Sequence, residues 1–106
     1  MLRPPAKSGS SAAPHTGVAE LDYELAGEMA GALGRAGRRA EVSLARLAAC
    51  DDVASERERR KELLQEAAEA VHAYFIQREL CGLRRHDDVI RGLAIPRAVL
   101  ARLGAR

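Results

Sequence analysis

The sequence predicts an all-α fold: a long antiparallel two-helix hairpin over about residues 18–50 and 55–81, capped by two short C-terminal helices at about 86–92 and 96–103. Three observations predict it. Apolar residues recur at the helical period along two long stretches. The breaks between those stretches carry helix stop and start signals rather than strand or hairpin turns. The connection between the two stretches, residues 51–54, is short.

The first 17 residues hold Pro4, Pro5 and Pro14, with Gly9, Gly17 and Ser8, Ser10 and Ser11, and no apolar period. They read as a disordered tail, leaving residues 18–106 as one helical domain. Thr16 is placed to cap the first helix, and Glu20, Asp22 and Glu24 favour the positive end of its dipole. Val18, Leu21, Leu25, Met29, Ala32, Ala36, Ala40, Leu44 and Leu47 then follow at a mean step of about 3.6 residues. One helix of about 32 residues would be roughly 48 Å long.

Gly27, Gly31, Gly34 and Gly37 fall inside that helix. Each costs up to about 1 kcal/mol relative to Ala. On a wheel of about 100° per residue, Gly27, Gly31 and Gly34 lie nearly opposite the leucine stripe. They read either as a tolerated weak spot or kink, or as a second face on which another backbone approaches closely.

Residues 51–54 are too short for anything but a hairpin connection. Ser55 and Glu58 have the spacing of a capping box for the second helix. Leu63, Leu64, Ala67, Ala70, Val71, Tyr74, Phe75 and Cys81 continue it, and Gly82 is the expected stop. Asp22 and Arg78 interrupt the two stripes at the hairpin's open end, and are expected to pair with each other or with nearby groups. Ala73, Ile76 and Leu80 form a small apolar strip on the back of the second helix that also needs a cover. The short helices that follow supply Val89, Leu93, Ile95, Val99, Leu100 and Leu103, with Pro96 suited to a first turn and Gly104 to a stop.

Composition narrows the function classes. The core must be thin, because the chain has one Phe, two Tyr and no Trp. A small helical pair filled by Leu, Val, Ile and Ala is marginal alone. The net charge of +2 conceals −3 over residues 51–82 and +4 over residues 83–106. Cys50 and Cys81 fall at opposite ends of the hairpin, too far apart for a disulfide, so each reads as a small apolar filler. No apolar leader or membrane-spanning run is present, and a reduced, cytoplasmic setting is expected.

Catalytic signatures are lacking: there is no glycine-rich phosphate loop, no G-x-S-x-G and no H-E-x-x-H. Cys81 and His86, with Asp87 and Asp88, lack the further ligands that a metal would need. The reading is therefore of a chain that is not an enzyme and binds no cofactor or metal. Its expected role is that of a protein-interaction or self-association module: a homo-oligomer, or the ligand of a partner protein. The expected interface is Gly27, Gly31, Gly34, Ala73, Ile76 and Leu80. The alternative is nucleic-acid binding. The spacing of Val89, Leu93, Ile95, Leu100 and Leu103 resembles a helix-turn-helix, with Arg91, Arg97 and Arg102 available to phosphates or base edges. Ile90 and Ala94 depart from it, standing where that motif prefers a small residue and Gly.

From Gly34 to Gly104 the chain also resembles a family of short, uncharacterised proteobacterial proteins. The residues that carry the likeness are Gln77-Arg78-Glu79, Cys81-Gly82-Leu83-Arg84, Val89-Ile90-Arg91 and Ile95-Pro96-Arg97 with Leu100-Ala101-Arg102-Leu103-Gly104. The resemblance implies a small helical fold and no assigned activity.

Overall fold

The computed structural model describes residues 16–105. Residues 1–15, and with them nearly all of the expected tail, lie outside the described residues. Within them the chain is all-α. Helix α1 spans Thr16–Ala49, α2 spans Arg57–Leu80, α3 spans Asp87–Gly92 and α4 spans Arg97–Leu100, with a 3-10 turn at Ala54–Glu56 before α2. The chain divides into two compact units, one up to Gly31 and the other from Ala32 onward.

In the second unit, the later turns of α1 and the whole of α2 form the antiparallel hairpin. Arg46 meets Glu66 at 3.0 Å near the connection, and Gly37 faces Tyr74 farther along. Ala40, Leu44 and Leu47 of α1 and Leu63, Ala67, Ala70, Val71 and Phe75 of α2 make one buried cluster. Ala40, Ala67 and Ala70 stand beside the leucines in that cluster, and small side chains let helices approach closely. Gly37 extends this effect, since a Cβ built there would lie 3.2 Å from Tyr74 Cε1.

α1 is already helical at Thr16, and one start signal differs from expectation. The Ser55–Glu58 capping box does not form: Glu56 occupies the N-cap position of α2 and makes no side-chain capping hydrogen bond. The reason is the 3-10 turn, which takes in Ser55 and closes with the Glu56 N–H donating to the Val53 carbonyl at 3.0 Å. Serine is thus inside a turn and not at the position from which its hydroxyl would reach the first α-helical N–H groups.

Gly82 does end α2. Its φ is +90°. The Gly82 N–H donates to the Glu79 carbonyl at 3.0 Å and the Leu83 N–H to that of Arg78 at 2.9 Å, the paired bonds of a Schellman motif. The same motif ends α3. Here the Ala94 N–H donates to the Arg91 carbonyl at 3.1 Å and the Ile95 N–H to that of Ile90 at 3.0 Å. The left-handed position is held by Ala94, at φ 50°, and not by a glycine.

These two reversals turn the chain back along α2. Ile95 and Val99 are buried in the main cluster, with Val89, Ile90, Leu93, Leu100 and Leu103 packed on it. The segment runs from His86, stacked on Phe75, to the Ala105 carbonyl, which accepts from Gln65 at 3.5 Å. The two short helices therefore lie along the hairpin's flank. Ala68 and Val71 of α2 are buried in the same cluster, whereas Ile76 is 44% and Leu80 65% exposed.

Candidate interaction surface

The first unit is the opening half of α1. Val18, Leu21 and Leu25 continue the apolar period there, and they are 68%, 66% and 59% exposed. Tyr23, off the stripe, is 82% exposed. Between Thr16 and Gly34 the helix carries Glu20, Asp22, Glu24 and Glu28 and no basic residue. This half of α1 is thus an amphipathic stretch with an open apolar stripe and acidic side chains beside it.

Of the interface expected from sequence, Gly27 and Gly34 are exposed, and a Cβ at either would meet nothing within 4 Å. Gly31 is half-buried, as is Ala73. Ile76 and Leu80 are exposed. The helix runs unbroken through all four glycines. Gly37, outside the expected set, does have a close neighbour, with its Cβ position 3.2 Å from Tyr74 Cε1; its signal in the sequence would have been its register against a bulky aromatic across the hairpin.

A second surface lies on the later turns of α1. Arg35, Arg38, Arg39 and Arg46 surround the 53%-exposed Val42 in a shallow groove that Glu66 of α2 borders. Arg46 is already engaged by Glu66. Arg38 and Arg39 have no ion-pair partner among the described residues. Nearest-neighbour spacing along α1 contains this cluster, but the apolar period draws attention away from it.

Arg78 finds its partners within the second unit. Its Nε–H donates to His86 Nδ1 at 3.0 Å and its terminal nitrogen to the Arg85 carbonyl at 2.8 Å. The structure thus gives Arg78 a ring nitrogen and a carbonyl as nearby partners, while Asp22 belongs to the first unit. Because Nδ1 accepts, the imidazole proton is assigned to Nε2, which faces Glu79 Oε2 at 3.0 Å. The ring stacks on Phe75 with centroids 4.1 Å apart, and the Arg78 guanidinium lies 5.8 Å from the Tyr74 ring. This cluster ties the last turn of α2 to the start of α3. No regular spacing announces it, because His86 and Arg78 sit on opposite sides of the Gly82 reversal.

The arginines considered for nucleic acid do not share one groove. Arg91 lines a shallow surface with Arg84 and Arg85. Arg102 lines a groove with Arg39, Glu69 and His72. Arg97 is the exposed first residue of α4, and α4 is only four residues long. A single turn is shorter than the recognition helix of a helix-turn-helix. Among the described residues no group of three or more His, Cys, Asp or Glu is placed to hold a metal, and no helix is long and apolar enough to cross a membrane.

The family of unknown function DUF6665 matches residues 7–106. The chain belongs to that family. The match extends beyond the stretch from Gly34 to Gly104 and takes in the acidic half of α1. No curated protein and no solved structure matches the chain.

Proposed function

We propose that this member of DUF6665 is a self-associating helical interaction protein with no catalysis of its own. The observation that carries the reading is the open stripe of Val18, Leu21 and Leu25, each more than half exposed at helical spacing. Burying one such side chain fully is worth about 1.5–3 kcal/mol, and an assembly is the means of burying them together. The thin core supports the same reading, since the largest fully buried side chains among the described residues are only Val71 and Val99. Ile76 and Leu80 add apolar surface on α2.

Sedimentation equilibrium tests this. The wild-type chain, of 11.4 kDa, is expected to sediment as a dimer or larger assembly at about 100 µM, a concentration at which even weak association registers. Leu21→Lys with Leu25→Lys is expected to give a monomer of unchanged helicity, because both positions are exposed in the single chain. A wild-type monomer, or a double variant that associates as before, would overturn the reading.

A further inference from the structure

We propose that the acidic first half of α1 in one copy lies along the arginine groove of a second copy, and that the second copy returns the same contact. This rests on the self-association reading and names the surface that receives the stripe.

The charge distribution decides between possible pairings. Residues 16–34 carry four acidic side chains and no basic one. Packing two such segments against each other would bring Glu20 and Glu24 of one copy near the same residues of the other, and like charges brought together at an interface disfavour it. The stripe therefore needs a basic surface with apolar content. The groove of Arg35, Arg38, Arg39, Val42 and Arg46 has both, with Val42 53% exposed at its centre. Glu20 and Glu24 on one side and Arg38 and Arg39 on the other are without ion-pair partners among the described residues. Lengths also correspond: Val18 to Gly31 spans about 20 Å of helix and Arg35 to Arg46 about 17 Å, at 1.5 Å per residue. One two-fold axis then buries two stripes in two grooves, which is the closed arrangement of an isologous dimer.

Charge reversal separates this proposal from the reading beneath it. One variant carries Glu20→Lys and Glu24→Lys, the other Arg38→Glu and Arg39→Glu. All four positions are exposed, so both variants are expected to keep wild-type helicity by circular dichroism. In sedimentation velocity each alone is expected to self-associate about tenfold or more weakly than wild type, since each sets like charges together at both contacts. An equimolar mixture is expected to recover wild-type association. There, a lysine-bearing stripe meets a glutamate-bearing groove at one contact, and native charges meet at the other. Should a wild-type dimer form while either variant associates undiminished, or the mixture stay monomeric, the groove is not the receiving surface and self-association stands. A wild-type monomer would remove both. The milder pair Glu24→Gln and Arg39→Gln serves if a reversal disturbs folding, and each is then expected to weaken association several-fold; no change with either would overturn the groove assignment.

Discussion

Ala94 sits where a helix reversal calls for glycine. Its φ of 50° places it in the left-handed region, which disfavours a residue bearing a Cβ by about 1–2 kcal/mol. The two backbone bonds that close α3 hold it there. Ala94→Gly removes that strain, offset by the wider freedom a glycine brings to the unfolded chain, about 0.4–1 kcal/mol. The expected outcome is a net gain of about 0.5–1 kcal/mol and a Tm higher by a few degrees, read by thermal denaturation. Gly82 makes the same reversal and is legible in the sequence, because glycine after a long helical stripe is the usual mark of one. Ala94 is not legible, since an alanine in the left-handed region leaves no compositional trace. His86 is a further case: the stack on Phe75 depends on the chain having turned at Gly82, which no pairwise spacing encodes.

Among the elements, α1 shows most clearly where the sequence stops informing. Its apolar period predicts the helix, and the helix is there from Thr16 to Ala49. The period is the same in both halves, however, and a stripe does not say what will cover it. From Ala40 on, the hairpin buries the stripe; at Val18, Leu21 and Leu25 it stays exposed. Hairpin and terminal helices are likewise readable from stop and start residues, whereas the 3-10 turn that displaces the capping box depends on how the connection closes. The glycines can be separated by experiment. Gly34 has open space where a Cβ would stand, so Gly34→Ala is expected to stabilise the helix by up to about 1 kcal/mol through propensity. Gly37 faces Tyr74 at 3.2 Å, so Gly37→Leu is expected to overpack the hairpin and destabilise it by about 1–3 kcal/mol. Urea titration of the two variants reads both signs, and a Gly37→Leu chain as stable as wild type would mean that Tyr74 moves aside freely.

At the scale of the whole molecule, the proposed self-association links folding to protein concentration. A native assembly is stabilised by mass action while the unfolded chain is not. The Tm of the wild-type chain is accordingly expected to rise with protein concentration, and that of the Leu21→Lys, Leu25→Lys variant to stay constant; calorimetry across a range of concentrations checks this. The composition of the interior has a consequence for recognition. None of its buried residues, among those described, is polar or charged, so no hydrogen bond or ion pair inside the hairpin demands one particular mate. Apolar surfaces made of Ala, Leu and Val are interchangeable partners, and a buried polar group is the usual way a helical interface excludes wrong ones. Discrimination between one copy and another helical protein would then be written on the outside of α1, in the order of its glutamates and arginines. Exchanging those charges in sequence would change which chains recognise each other while leaving the interior as it is.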